Sequence, residues 1–265
     1  MKINDFINVM ERLAPSCTAL SFDNCGLIIG TEREEIKRVL AALDCTNAVA
    51  DEAAKVNADL VLTHHPLLFN GVKRILPGDP ICGPVYKLIR CGIALFSAHT
   101  NLDAAEGGVN TALCRTLGIE NELPAGDEGI MRVGELPNEI MLDEFVRHAQ
   151  RKIGTTLMVS GSNRPIKRVA VMGGSGGGDY ALAKASGADV YLTGECKHNQ
   201  AIEAAALGLA VVTAGHYQTE VVVLKPLIEY LQIHTCGVEY LLSEACTPVF
   251  RVVQTLQNAE KEGIK

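Results

Sequence analysis

The feature that most constrains this chain is that it repeats itself. Ile36-Lys-Arg-Val39 returns as Ile166-Lys-Arg-Val169. Ala58-Asp59 and Leu62-Thr63 return as Ala188-Asp189 and Leu192-Thr193, again at an offset of 130 with no gap. Nine of the 28 positions from 36 to 63 are identical at that offset. Val- and Ala-rich strand–helix–strand segments resemble one another by chance, but a single ungapped register over both motifs favours duplication. The first copy reads as a strand at 38–43, a helix at 49–56, a strand at 59–63, a helix at 85–90 and a strand at 93–97. Alternation of this kind builds an α/β sheet with helices on its faces. Ahead of it, Ile3, Phe6, Ile7, Met10 and Leu13 share one helical face, and Pro15 ends that helix.

The expected organisation is thus a duplicated α/β unit. Residues 1–123 form the first copy, and residues 124–265 a connector plus the second, with a C-terminal segment free to pack on the first half. The connector, about 123–163, carries a turn-rich Pro124-Ala-Gly-Asp-Glu-Gly129 and a helix around 142–153.

A polar pair follows a short apolar run in each copy. Ile93–Ser97 leads into His99-x-x-x-Asp103, and Leu209–Thr213 leads into His216-x-x-x-Glu220, at an offset of 117. One half has therefore lost loop residues. Imidazole and carboxylate are the ligand pair favoured by zinc, iron and manganese. A third element, His64-His65, closes the strand at 60–63 and is stopped by Pro66. Adjacent histidines in a regular strand point to opposite faces. A backbone turning before Pro66 can aim both into one cavity.

Each pair alone has an ordinary explanation, a surface i,i+4 contact or a strand end. Together, at corresponding strand ends of a duplicated fold, they point to a metal centre. Glu220 is long enough to bridge two cations, and Asp103 is suited to terminal ligation. His99 either ligates or hydrogen-bonds from outside the ligand set. His148 and His234 read as surface residues.

Two further features face the same strand ends. Glu195 in Thr193-Gly-Glu195 corresponds to His65 in the repeat, and its two readings are a general base or a helix cap. Gly173-Gly-Ser-Gly-Gly-Gly178 is either a phosphate cradle or a tight turn under close helix packing. It lacks the Lys-Ser/Thr of a P-loop.

Composition narrows the setting. A net charge of −7 argues against a basic nucleic-acid-binding face. Nine scattered cysteines without Cys-x-x-Cys fit reduced thiols rather than a disulfide frame. The acidic N-terminus is not a signal peptide, and no apolar run approaches the roughly 18 residues of a membrane span. A cytoplasmic location is expected, with no membrane partner.

The motifs Phe22-Asp-Asn-Cys-Gly-Leu27, Thr63-His-His-Pro66, His99-Thr-Asn-Leu-Asp103, Val171-Met-Gly-Gly-Ser-Gly176, Thr193-Gly-Glu195 and Gly215-His-Tyr-Gln-Thr-Glu220 occur in this order. In them the chain resembles the GTP cyclohydrolase 1 type 2 homologue family over nearly its whole length. The resemblance implies two intertwined α/β halves, mixed sheets, a dinuclear centre and a toroidal homohexamer. It implies that His65 and Asp103 bind one cation, His64 and His216 the other, and that Glu220 is shared. Pro226 departs from the helix expected after His216. The functional expectation is a metal-dependent hydrolase with two divalent cations per subunit, acting on a nucleotide or related phosphorylated heterocycle. Glu195 or His99 would move protons. The alternatives are a metal-handling protein without turnover, and a scaffold that its metals merely hold together.

Overall fold

The repeat is visible in the backbone as two sheets wound in the same order. The computed structural model describes residues 1–252, so the rest of the 124–265 segment lies outside the described residues. The first half runs α1 (Ile3–Leu13), β1 (Gly26–Ile29), β2 (Arg38–Ala42), α2 (Asn47–Lys55), β3 (Leu60–Thr63), α3 (Cys82–Cys91), β4 (Ala94–Ser97), α4 (Thr100–Ala104) and α5 (Val109–Leu117). The second begins with β5 (Glu120–Ala125), β6 (Met131–Met141), α6 (Leu142–Ile153), β7 (Met158–Ser160), β8 (Pro165–Met172) and α7 (Tyr180–Ala185). It continues with β9 (Val190–Thr193), α8 (His198–Ala206), β10 (Ala210–Thr213), α9 (His216–Glu220), α10 (Leu224–His234) and β11 (Glu239–Leu242). The fold is mixed α/β.

One sheet is ordered β1-β4-β3-β2-β11 and the other β5-β6-β8-β9-β10-β7. β2, β3 and β4 are parallel, as are β8, β9 and β10. The ungapped sequence offset reappears as identical register: Val39 pairs with Leu60 and Ala42 with Thr63, while Val169 pairs with Val190 and Met172 with Thr193. The repeated aspartate has a structural cause. Asp59 accepts the backbone N–H groups of Lys37 and Arg38 at 2.7 and 3.0 Å. Asp189 accepts those of Lys167 and Arg168, both at 2.9 Å. Each carboxylate staples the start of one strand to the next, which fixes the register that aligns the strand ends.

The segment read as a connector contributes three strands of the second sheet. β5 and β6 form an antiparallel edge, and β7 closes the opposite edge against β10. β5 spans the division between residues 123 and 124. Pro137 lies inside β6, where the register with β8 shifts between Glu135 and Ile140, the bulged setting in which a strand tolerates proline.

The chain then returns to its beginning. β11 adds to β2 in parallel, Glu239 opposite Arg38. α10 places Leu224, Leu227 and Leu231 in one core with Phe6 and Met10 of α1 and with Val39, Leu60 and Phe96 of the first sheet. Phe6 and Phe96 meet edge to face, ring centroids 5.7 Å apart. Each such buried side chain stabilises the fold by roughly 1.5–3 kcal/mol, so the two halves are not separable along the chain. Pro226 sits in the first turn of α10, where a missing N–H leaves no helical hydrogen bond unmade. Among the described residues, no helix is long and apolar enough to cross a membrane.

Candidate metal centre

The parallel strands of both sheets end at one place. Thr63, the last residue of β3, donates its hydroxyl to the His65 carbonyl at 3.0 Å and meets the Ser97 hydroxyl at 2.8 Å. That local bond bends the backbone, and two consecutive histidines then face one cavity. β4 delivers His99 and α4 delivers Asp103. Across the gap, α9 begins at His216 and ends at Glu220, one turn apart on one face.

The side chains converge tightly. His65 Nε2 and His216 Nε2 stand 3.3 Å apart. Glu220 Oε2 is 3.1 Å from the first and 3.2 Å from the second. At the other oxygen, Glu220 Oε1 lies 3.8 Å from His64 Nε2, which is 3.6 Å from Asp103 Oδ1. Glu220 therefore spans two poles, His64 with Asp103 and His65 with His216. The resemblance implies His65 with Asp103 and His64 with His216 about a shared Glu220, and all five side chains meet here. Each histidine ring of the dipeptide is anchored from behind. His64 Nδ1 is tied to the Ala98 carbonyl beyond β4 at 2.8 Å, which aims Nε2 toward α4. His65 Nδ1 is tied to Asp44 Oδ1 beyond β2 at 2.8 Å, which aims Nε2 toward α9.

These anchors also decide the chemistry. Each Nδ1 facing an oxygen acceptor carries the proton, leaving Nε2 a lone pair. His216 Nδ1 likewise faces Glu195 Oε1 at 3.3 Å. With the rings neutral, lone pairs on His65, His216 and Glu220 point at one another. His64 Nε2 and Glu220 Oε2 are buried and lack a hydrogen-bond partner among the described residues. Such a set fits a metal ion, which would supply the missing positive charge.

Proton affinities respond to the same field. Burial disfavours a charged His65, yet Asp44 and Glu220 outweigh it and push its pKa up to about 10. Burial likewise opposes the raised value of His64, and Asp103 with Glu220 overcomes it. For His216 the Glu220 carboxylate, 3.2 Å away, is the largest cause of a raised pKa. Burial alone would raise Glu220, but His216, His64 and His65 hold it far below the carboxylate range. Asp103 has weaker compensation, and burial pushes it up to about 6. His99 is lowered, first by burial and then by the neighbouring His64.

The glycine loop serves the ligands. A Cβ on Gly174, at φ +60°, would collide with Glu220 Oε1, and one on Gly194 would lie 2.9 Å from the His216 Cα. The loop's first amides are already engaged, Gly173 N–H to Asn110 Oδ1 at 2.8 Å and Gly174 N–H to Thr219 Oγ1 at 3.1 Å. Gly174 and Gly194 let the backbone approach the ligands, and the N–H groups of Gly173 and Gly174 are already taken within the fold.

Glu195 stands outside the ligand cluster, half exposed, accepting the Ser175 hydroxyl at 2.8 Å while it faces His216. His99 sits 5.2 Å ring to ring from His64, with Nδ1 2.8 Å from Asp23 Oδ1. His64, His65 and His99 can share one ion, as can His65, His216 and Glu220. His148 is half-buried against the Leu117 carbonyl and His234 stacks on Tyr230, both outside the site. Asp23 and Asp44 are the anchoring residues that the spacing argument did not find. They are single acids, 76 and 21 positions from their histidines.

Known proteins share this sequence and fold over most of their length. A Clostridium perfringens protein named GTP cyclohydrolase 1 type 2 homolog is 35% identical over 262 residues, spanning 96% of this chain and all of the relative. A Methanocaldococcus jannaschii protein of the same name is 36% identical over 239 residues, 87% of this chain and 95% of its own. Among solved structures, a Staphylococcus aureus hypothetical protein superposes with TM-score 0.88 at 29% identity, covering 96% of this chain and 99% of that one. Reduced HcgD from Methanocaldococcus jannaschii gives 0.80 at 34% identity, covering 91% and 97%. The model of the Duf34/NIF3 (NGG1p interacting factor 3) family matches residues 1–248, and the chain belongs to that family.

Proposed function

We propose that the chain is a dinuclear divalent-metal hydrolase acting on a nucleotide or related phosphorylated heterocycle. The observation that carries this reading is the convergence of three lone-pair atoms, two imidazole Nε2 and one carboxylate oxygen, within 3.1–3.3 Å. His64 and Asp103 complete a second pole at the other oxygen of Glu220. Zinc, iron or manganese bound there would lower the pKa of a water and polarise the attacked bond.

The chain's own groups supply the rest. A cavity of about 530 Å³, lined by His65, Glu195, His216 and Tyr217 among others, adjoins the His65–His216 pole and is large enough for a small molecule. Glu195 Oε1 faces the cavity beside His216 and is placed to accept a proton from a water or return one to a leaving group. His99, its Nδ1 held by Asp23, offers Nε2 for the same purpose on the opposite side. The relatives named for GTP cyclohydrolase support a purine nucleotide as the first substrate to test. By the same resemblance the working form is a homohexamer, which light scattering of purified protein tests.

A second reading is a metal-handling protein without turnover. The observation favouring it is that His65 and His216 are partly open to the cavity, whereas the His64 side chain is fully enclosed. An ion at the open pole could leave readily. Elemental analysis combined with a nucleotide and phosphoester screen separates the two. About two ions per chain and turnover support the hydrolase. A negative screen with zinc, manganese, iron and cobalt, on protein shown to hold its metals, overturns it.

A further inference from the structure

Three consecutive residues, Phe22-Asp-Asn24, build one wall beside the histidine cluster. Asp23 receives His99 Nδ1–H on one oxygen, and the Thr100 N–H at 3.0 Å and hydroxyl at 2.5 Å on the other. Asn24 donates to the Leu68 carbonyl at 2.5 Å, pinning the loop that carries Phe69. Phe22 thereby meets Phe69 at 6.0 Å, rings inclined by 53°. Phe69 in turn stands edge-on to His99 at 6.2 Å. His99 lies 5.2 and 5.6 Å from the rings of His64 and His65.

These aromatics are unlike their counterparts in the core. Phe22 is 60% exposed and Phe69 43%, whereas Phe6, Phe96 and Phe145 are buried. Three of six phenylalanines are exposed, Phe250 on the cavity side and Phe22 with Phe69 on the His99 side, which forgoes the burial that usually places them. None of Phe22, Phe69 and His99 lines the cavity beside His216. They stand on the other side of the cluster, and His65 belongs to both candidate ion groups.

We propose that Phe22, Phe69 and His99 form a stacking slot for the planar heterocyclic ring of the substrate. The inference rests on the hydrolase reading for the substrate class and deepens it by placing the ring. A flat apolar face next to one fixed hydrogen-bonding nitrogen is the combination that recognises an unstacked base. Asp23 occupies His99 Nδ1, so Nε2 is the ring atom that meets the ligand. The ring then sits at the His64–His99 side, and the remainder of the molecule reaches past His65 toward the cavity at His216.

The test is binding to metal-loaded protein by titration calorimetry, with GTP, guanosine, adenosine, a pterin and inorganic triphosphate as probes. Phe22→Leu and Phe69→Leu should each weaken GTP and guanosine by at least about fivefold, the low end of base–aromatic stacking. Triphosphate affinity should not change, and Phe69→Tyr should bind as the wild type does. Both positions are exposed, so the leucine variants are expected to fold. Equal weakening of triphosphate, unchanged guanosine and GTP affinity, or a wild type that binds no heterocycle would each overturn the slot. So would leucine variants that only disrupt self-association in light scattering. Loss of ring binding without any turnover in the wild type keeps the slot and removes the hydrolase. Turnover unaffected by the leucine variants does the reverse.

Discussion

Glu220 is the residue on which the centre turns, because its two oxygens address different histidines. Oε1 faces His64 and Oε2 faces His65 with His216. Glu220→Gln is therefore expected to lower metal content at both poles, since it removes charge from both and leaves two cations unscreened. Asp103→Asn should deplete mainly the His64 pole. Elemental analysis at limiting metal distinguishes them, and a Glu220→Gln protein that loses one ion while retaining the other would rule out the bridge. Protons compete for the same atoms. His65 is raised to about 10, and its partners His64 and His216 are shifted in the same direction, so protons and metal compete for these nitrogens. Binding must expel those protons, so apparent affinity should rise with pH through neutrality and flatten as the folded His65 value is reached. Calorimetry in buffers of different ionisation enthalpy should detect net proton release at pH 7, and none would contradict the assignment. The five proposed ligands were legible because histidine beside carboxylate at a strand end is a local pattern. Asp23 and Asp44 were not, because only folding brings them to their histidines.

At the scale of elements, legibility followed periodicity. β2, β3 and β4 and their copies stood out as short apolar runs, and the fold places them as neighbours in the same register. β6 did not stand out. Gly134 and Pro137 interrupt its pattern, and its polar second half faces outward at a bulge. β11 is only four residues and is a strand because β2 offers it an open edge. The repeated aspartates give this scale its prediction. Asp59→Ala and Asp189→Ala should each cost about 1–3 kcal/mol, the penalty for orphaning backbone donors. Asp59 should cost more, because it is buried and additionally paired with Arg33 at 2.5 Å, whereas Asp189 is half-exposed. Urea unfolding measures both. Equal and negligible losses would mean that strand pairing alone sets the register.

For the molecule as a whole, the decisive event is the return of the C-terminal segment to the first sheet. The alternating pattern allowed that return but could not place it, since its anchor is one side chain about 190 positions upstream. Glu52 of α2 accepts the Ser243 hydroxyl and the backbone N–H groups of Glu244 and Ala245, the latter two at 2.9 and 3.1 Å. Burial works to raise the Glu52 pKa, but these three donors outweigh it and hold the value below the ordinary 4.5. A folded value below the unfolded one contributes stability that is present above the unfolded pKa and lost as pH falls through the folded one. Wild type should therefore exceed Glu52→Gln in urea midpoint at pH 7, and the gap should close as pH falls below about 4.5 toward the folded value. The gap itself should be modest, because Glu52 is partly exposed and solvent screens it. Its effect reaches further than its size suggests. Releasing residues 243–245 loosens β11, and with it the wall of the cavity formed by Thr247, Pro248 and Phe250. Metal content at pH 7 should survive Glu52→Gln, since no ligand is touched, while binding of any molecule that fills the cavity should weaken. A variant whose midpoint stays below wild type by the same amount at pH 7 and pH 3 would show that Glu52 acts through packing and not through its charge.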